Sequence, residues 1–439
     1  MKKILWTLVL LLVVVAGCTD ESDNDDGETT VEVMMFEGGF GSEWVKDSAE
    51  SYMEMNEGVT IDVTSSPDIH QQLQTRFLSD DVPDLIVPGP SFDIQGVIRE
   101  GMIAPLDDYL DENAYESDQA WVDTFEEGQF NLKKDGNTYG IPTVFASGYL
   151  WWYDEKLFND QGWEVPQTQE ELYELADQAE EQGKAVFAIP GVHPSYYFYG
   201  IYLPLVERFG GEEALLNAYN LEEGAWQSDA ILKAAQESQK MVEEGLFMEG
   251  TFGINHTEAQ TFFFQRDALF AMAGTWLEGE MADVIPEDFK LRALNQPAVA
   301  NGDGEQLAPI STGWGGAWYI PEDANQKDAA IEFLKYLSSE AEVEKMVESK
   351  GLASVVKNTD DAIQSDALAS ALGVLQESSG SYAPTAINDT YPELAGNIVD
   401  LYQSLMLGDI TPEEFAEEAE AFAEQTRNND NVEKVDISW

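Results

Sequence analysis

Aromatic residues set among glycines are the part of this sequence that could bind a small molecule. They concentrate in four segments, at residues 145–153, 196–199, 274–276 and 313–318. An aromatic ring laid against the apolar face of a pyranose, with carboxylates and amides taking its hydroxyls, binds a neutral sugar. These four segments therefore contain the residue types that a carbohydrate-binding site uses.

Packing is the competing explanation for the same aromatic residues. Trp151, Trp152, Tyr153 and Trp318 lie in strand-like runs, and we expect at least half of them in the core. Trp226, within Gly-Ala-Trp-Gln-Ser, is also expected to be a packing residue.

Residues for catalysis or metal binding are sparse. The histidines are His70, His193 and His256, none of them at the HExxH spacing, and the one cysteine, Cys18, lies near the amino terminus. No P-loop or GxSxG motif occurs, and paired carboxylates carry no information among 84 acidic residues. We expect no catalytic residue, no metal site and no cofactor.

The chain is strongly acidic. Its 439 residues include 22 Lys and Arg against 84 Asp and Glu, a formal net charge of −62. Such a field repels nucleic acid, and a carboxylate-rich surface stays hydrated in concentrated salt, where screening weakens the mutual repulsion. With 44% hydrophobic residues, the chain can still build the cores of two or three domains. We expect a folded protein that does not bind nucleic acid, and its acidic surface indicates a halophilic or an alkaline-habitat source.

The first 30 residues predict export and anchoring. Two lysines precede the largely apolar residues 4–16, which are too few to span a bilayer as a helix, so residues 1–17 have the pattern of a signal peptide. The run Val-Ala-Gly-Cys that ends at Cys18 resembles the lipobox of bacterial lipoproteins. That resemblance implies acylation of Cys18 and membrane attachment through lipid alone. Residues 18–30 are acidic and lack large apolar side chains, which predicts an extended tether.

Alternating strand and helix patterns predict an α/β fold. Strands are predicted at residues 31–36, 59–63, 84–87, 268–272 and 317–320. Four helices are predicted from apolar residues that the helical period places on one face: Val45, Ala49 and Tyr52; Leu172, Leu175 and Ala179; Ala330, Ile331 and Leu334; and Phe415, Ala419 and Phe422. This alternation implies a mostly parallel sheet, with ligands meeting the loops at the carboxyl ends of its strands.

In their order and content, these segments resemble the carbohydrate-binding family of extracellular solute-binding proteins of ABC importers, the maltose-binding-protein-like group. The resemblance covers nearly the whole mature chain and rests on residues 37–40, 82–86, 140–142, 148–158, 264–276, 313–321 and 327–334. One departure is Gln169, where family members commonly carry a structural tryptophan, so only local packing is affected.

The resemblance implies a two-lobed periplasmic-binding-protein fold with an interlobe cleft and multiple crossover strands. Lobe one is expected at residues 31–142 plus 295–339, and lobe two at 143–294 plus 340–439. The implied function is capture of a sugar or oligosaccharide in the cleft and its delivery to the subunits of an ABC permease. The protein is then an extracytoplasmic, lipid-anchored monomer without enzymatic activity.

The resemblance also implies the site residues. Trp276 is the first choice, because the family's G-x-W at a strand end commonly stacks on sugar. Glu37, Gly38 and Gly39 follow, on the loop after the first strand. The remaining candidates are Ser91, Phe92, Ser147, Tyr149, Tyr196 and Trp314.

Two other functions stay open from the sequence. A secreted glycoside hydrolase is also rich in aromatic residues, but it consumes its ligand. A surface-binding lipoprotein without a transport role would not be stabilised by small sugars.

Overall fold

The computed structural model describes residues 29–89, 92–126, 133–134, 136–147, 149–304, 306, 312–314, 316–377 and 386–437. Its strands are β1 (Thr29–Phe36), β2 (Val59–Ser66), β3 (Leu85–Val87), β4 (Lys133–Lys134), β5 (Asn137–Thr138), β6 (Ile141–Pro142), β7 (Val144–Ser147), β8 (Leu150–Asp154), β9 (Ala185–Phe187), β10 (Ala268–Ala273), β11 (Leu291–Leu294), β12 (Thr312–Trp314), β13 (Ala317–Trp318) and β14 (Ala353–Ser354). Its helices are α1 (Glu43–Met55), α2 (Ile69–Leu78), α3 (Ile94–Arg99), α4 (Asp107–Leu110), α5 (Glu155–Gln161), α6 (Gln169–Glu181), α7 (Ser195–Tyr197), α8 (Leu203–Tyr219), α9 (Asp229–Glu243), α10 (His256–Phe264), α11 (Leu277–Glu280), α12 (Lys327–Leu337), α13 (Glu340–Lys350), α14 (Asp366–Glu377), α15 (Ala386–Thr390), α16 (Pro392–Leu407) and α17 (Pro412–Asn428).

The predicted strands and helices are present at the positions that their hydrophobic spacing indicated. Helix α1 buries Val45, Ala49 and Tyr52, which the helical period places on one face. Strand β1 begins at Thr29, so its first two residues belong to the segment predicted as a tether. Its buried Val31 and Val33 alternate as the period of a strand requires.

A parallel sheet forms the centre of the first lobe. Its strand order is β2–β1–β3, and β1 pairs with both neighbours in parallel. The carboxyl ends of the three strands therefore lie at one edge of the sheet, where Phe36 pairs with Ser66. The loop that begins at Glu37 leaves the sheet at this edge.

The second lobe contains a mixed sheet of order β11–β8–β10–β9. Strands β9 and β10 are parallel, but β8 is antiparallel to β10 and to β11. The prediction of a mostly parallel sheet holds for the first lobe and is wrong here. The reason is that β8 enters this lobe at the end where β10 finishes, with Leu150 opposite Ala273.

The tryptophans predicted to pack are core residues. Trp151, Trp152, Trp226 and Trp318 are buried, which confirms the packing prediction for them. The indole nitrogens of Trp151 and Trp152 donate to backbone carbonyls, which satisfies their polar atoms inside the core.

Two short strands, β7 and β12, join the lobes. Strand β7 pairs antiparallel with β12, so two passages of the chain between the lobes run side by side, and it also pairs antiparallel with β14 of the first lobe. The packing differs from the predicted lobe boundaries at 295 and 340: Val299 packs in the core of the second lobe, and Val343 in that of the first. We therefore propose lobes of residues 29–144 plus 317–363, and 150–304 plus 367–437.

Candidate functional site

Trp276 is placed by the end of the fully buried strand β10. The strand stops at Ala273, and Gly274 and Thr275 lead to Trp276, which immediately precedes helix α11. The indole ring lies over Gly274: a Cβ atom at Gly274 would be 1.9 Å from Cζ3 of the ring. A side chain at residue 274 would therefore displace the ring. Trp276 remains partly exposed.

Trp276 contacts the glycine loop of the other lobe. A Cβ atom built on Gly39 would lie 3.1 Å from Cβ, Cγ and Cδ1 of Trp276. The ring of Phe40 meets the indole edge to face, with centroids 6.0 Å apart and an interplanar angle of 82°. The structure thus brings together two of the predicted site residues from opposite lobes, across the cleft.

Glu37 and Gly38 lie on the same loop. Ser42 Oγ donates to Glu37 Oε1 at 2.9 Å, and Ser65 Oγ donates to Glu37 Oε2 at 2.8 Å. Lys46 Nζ donates to the Ser65 hydroxyl at 3.1 Å. These bonds fix the orientation of the Glu37 carboxylate, and each of its oxygens keeps a lone pair for another donor.

Two tyrosines line the second lobe where β8 begins. Tyr149 has a left-handed backbone (φ 67°), an unusual conformation for a non-glycine residue. Its ring is perpendicular to that of Tyr196, with centroids 5.7 Å apart. Burial raises the pKa of Tyr149 above its ordinary range; burial, followed by the charge of Glu280, raises the pKa of Tyr196 to about 12. Both phenols are therefore neutral at physiological pH and can donate hydrogen bonds.

A polar cluster that the sequence-based site omitted adjoins these tyrosines. The ring of His256 stacks on Tyr196, with centroids 6.3 Å apart and an angle of 16°, and lies 5.6 Å from the ring of His193. His256 Nε2 is 3.5 Å from Glu280 Oε1, and Gln260 Nε2 donates to Glu280 Oε2 at 3.0 Å. The cluster places a carboxylate, an amide and two imidazoles beside the aromatic rings.

Electrostatics keep the Glu280 carboxyl ionised. Burial raises its pKa, but hydrogen bonds from His256 and Gln260, with the charge of His256, bring the pKa below its ordinary value. The hydrogen bond to Glu280 in turn raises the pKa of His256, despite partial burial. Burial, then the charge of His256, lowers the pKa of His193.

Spacing was the one signal in the sequence that could have found this cluster. Glu280 follows Trp276 by four residues, which places both on one face of a helical turn, and Gln260 follows His256 by the same interval. Glu258, which forms an H-x-E with His256, instead accepts from the backbone N–H of Asn255 in a capping box.

The other candidates fall elsewhere. Phe92 is a core residue: it is 7% exposed and packs on Phe77, with ring centroids 5.5 Å apart, so its side chain is not placed for a ligand. The backbone of Ser147 pairs with Thr312, and that of Trp314 with Phe145, in the sheet that joins the lobes. Ser91 and Cys18 lie outside the described residues.

The described ranges contain neither a candidate metal site nor a membrane-spanning helix. Across these residues, no three histidine, cysteine, aspartate or glutamate side chains are grouped so that they could hold a metal ion. Of the helices in the described part of the chain, none is both long enough and apolar enough to cross a membrane.

Two α/β lobes joined by repeated chain crossings, with Trp276 of one lobe against Gly39 of the other, have the architecture of proteins that close around a ligand by a hinge. The chain belongs to the bacterial extracellular solute-binding protein family, whose sequence profile matches residues 38–344. It is 25% identical over 417 residues to the diacetylchitobiose binding protein NgcE of Streptomyces coelicolor, covering 93% of this chain and 87% of the relative. It is 24% identical over 322 residues to the multiple sugar-binding protein of Streptococcus mutans, covering 71% and 72%.

Solved structures share the fold. A chitin oligosaccharide binding protein superimposes with a TM-score of 0.72 at 17% identity, covering 87% of this chain and 94% of the other. RafE in complex with raffinose superimposes with a TM-score of 0.71 at 18% identity, covering 90% and 99%. The two-lobed α/β fold predicted from the sequence is confirmed.

Proposed function

We propose that this protein is the substrate-binding component of an ABC importer, which captures a sugar or oligosaccharide in the cleft and delivers it to the membrane permease. The observation that carries the proposal is the contact of Trp276 with Gly39, because it places an aromatic ring from one lobe against a glycine loop of the other. The names of the relatives, which bind diacetylchitobiose and other sugars, support a carbohydrate as the ligand.

Lobe closure provides the binding mechanism. Trp276 covers one face of a sugar ring, Glu37 accepts from hydroxyls, and Tyr149 and Tyr196 donate from neutral phenols. Because these groups belong to both lobes, only the closed state makes every contact. A ligand therefore shifts the equilibrium towards closure by the difference between its affinities for the two states.

The amino-terminal sequence supports a lipid anchor at Cys18. Acylation of Cys18 would hold the mature monomer on the outer face of the cell membrane, near the permease. The acidic residues that follow would keep the folded lobes away from anionic lipid while the acyl chains stay inserted.

A thermal-shift and calorimetric screen tests the proposal. Diacetylchitobiose, maltotriose, raffinose and lactose are added separately in high salt, and each sugar is recovered afterwards and chromatographed. We expect at least one sugar to raise the melting temperature and to be recovered intact, since a ligand at 100 times its Kd stabilises the native state by about 2.7 kcal/mol. Cleaved sugar would instead indicate a glycoside hydrolase, and the absence of any shift a surface-binding lipoprotein.

A further inference from the structure

We propose that Glu280 is a ligand-binding carboxylate of the second lobe, which accepts hydrogen bonds from the hydroxyl or N–H groups of the bound sugar, with Gln260 as its positioning residue. This inference rests on the proposed function and adds to it a polar subsite beside Trp276. Three observations carry it.

The first observation is the orientation of Glu280. Trp276 and Glu280 are four residues apart around helix α11, and Glu280 N donates to Trp276 O at 2.9 Å. The spacing turns both side chains to the same face, so the carboxylate stands beside the ring predicted to stack on sugar. Of its side chain, 23% is exposed, so a ligand can reach it.

The second observation is the nature of the partners of Glu280. A structural carboxylate of the same lobe, Asp154, is buried and bound to the Arg266 guanidinium at 2.7 Å and to backbone N–H groups. Within the described part of the chain, the partners of the Glu280 carboxylate are only an amide donor and an imidazole 3.5 Å away. An ionised carboxylate has about four acceptor positions, so Glu280 retains capacity for donors from a ligand.

The third observation is a pair of buried polar atoms, one on Gln260, which bonds Glu280, and one on Thr275, which precedes Trp276 in the chain. Gln260 is 2% exposed and Thr275 is 3% exposed. Gln260 Oε1 and Thr275 Oγ1 have no hydrogen-bond partner among the residues that the structure describes. Buried acceptors without partners are rare and cost free energy, so donors from a ligand or a bridging water would stabilise this arrangement. Such a subsite favours sugars that present several donors.

Calorimetry with diacetylchitobiose, maltotriose, raffinose and lactose tests the assignment. In Glu280→Gln the side chain keeps its size but loses its charge and half of its acceptor capacity. We expect its Kd for the sugars that bind the wild type to rise tenfold or more. Asp283→Asn is the matched control, because it removes the same charge from an exposed residue three positions further on, and its Kd should stay within twofold.

A second set of variants separates ligand contact from folding. Glu280→Asp keeps the charge but withdraws the carboxylate by one methylene, and we expect it too to bind more weakly. Gln260→Met removes the amide donor at similar volume. That donor helps to lower the pKa of Glu280. The loss of affinity on acidification should therefore begin at a higher pH in Gln260→Met than in the wild type. The other titratable groups that face the subsite are His256, His193 and Tyr196. A merely structural Gln260 would lower the melting temperature and leave that midpoint in place.

The outcomes for Glu280 and for the proposed function are distinct. An unchanged Kd in both folded Glu280 variants, for a sugar that the wild type binds, overturns the assignment of Glu280 and leaves the proposed function standing. A wild-type protein that binds none of the four sugars overturns the proposed function, and the subsite with it.

Discussion

Gly274 lies beneath the indole ring of Trp276, so closely that a methyl group on Gly274 would come within 1.9 Å of Cζ3. The ring therefore rests on bare backbone at the end of a buried strand. A ring held in this way loses little side-chain entropy when a ligand stacks on it, which favours Trp276 as an anchor.

Gly274→Ala is expected to weaken sugar binding at least tenfold, because the added methyl group must push the indole away from its seat. Gly253→Ala is the control, since a Cβ there would meet nothing within 4 Å among the described residues. Calorimetry on both variants measures the effect. Equal affinities in the two would show that the position of the ring does not matter for binding.

Trp276→Ala is expected to weaken sugar binding by about 2 kcal/mol or more, as truncation of an aromatic hot spot does, while the unliganded protein stays folded. Trp163→Ala is the matched control: Trp163 is also partly exposed, and it packs on Phe158. A core tryptophan behaves differently, with a loss of about 3 to 5 kcal/mol of stability. A collapsed melting temperature with unchanged affinity would assign Trp276 to the core.

The fold was predictable from the sequence because it depends on repeated signals. The spacing of Val45, Ala49 and Tyr52 indicated a helix by itself, and the order of many such segments indicated two lobes. The lobe boundaries were not predictable in the same way. Strands β7 and β12 are four and three residues long, too short to show a period, so only their pairing reveals where the chain crosses between the lobes.

The candidate site was predictable only in part. Trp276 and Gly39 carry family signals, and the structure places them in contact, although their role in binding remains a prediction. Phe92 follows a strand just as a ligand-binding residue would, and only its packing on Phe77 shows that it points into the core. The four-residue spacing from Trp276 was the one sequence signal for Glu280, and it was too weak to single out Glu280 among 84 acidic residues, because the significance of Glu280 comes from Gln260 and His256 beside it.

A pH effect on stability is expected from the His256–Glu280 pair. The hydrogen bond to Glu280 raises the pKa of His256 in the folded protein above its ordinary 6.5. The stabilisation of the folded state by this pair is therefore fully present below pH 6.5 and is lost as the pH rises through the folded-state pKa of His256. His256→Gln should therefore melt below the wild type at about pH 5.5, and the two should converge by about pH 8.5.

His193→Gln is the control of opposite sign in the same melts. Burial and the charge of His256 lower the pKa of His193, so its protonation destabilises the folded state, and the variant should melt above the wild type at acidic pH. A deficit of His256→Gln that is constant from acidic to alkaline pH would contradict the ion-pair explanation.

The stability of the folded protein is expected to rise with salt concentration, because the negative charges that sum to −62 repel one another within one molecule. The Debye length falls from about 30 Å at 0.01 M salt to about 3 Å at 1 M, so repulsion among carboxylates becomes local in concentrated salt. Melting temperatures in NaCl and in KCl should rise together over this range. A flat or falling curve would count against a halophilic surface.

Cys18→Ser is expected to release the protein from the membrane fraction, or to leave uncleaved precursor, when the gene is expressed in a bacterial host. The acidic segment after Cys18 has no attraction of its own for anionic lipid. Substitution of Ser22, a nearby residue outside the lipobox-like run, should leave fractionation unchanged. Acylation and fractionation of Cys18→Ser like those of the wild type would end the lipoprotein hypothesis.

The packing of α13 in the first lobe has a consequence for the order in which this protein folds. Ser48 of α1 donates a hydrogen bond at 2.8 Å to the buried Glu342 of α13, 294 residues further along the chain. The lobe that leaves the ribosome first therefore cannot complete its core until most of the polypeptide has followed. The second lobe has its sheet strands and much of its core between residues 150 and 294, so it can begin to collapse earlier. Closure over so long a stretch of chain slows folding of the first lobe.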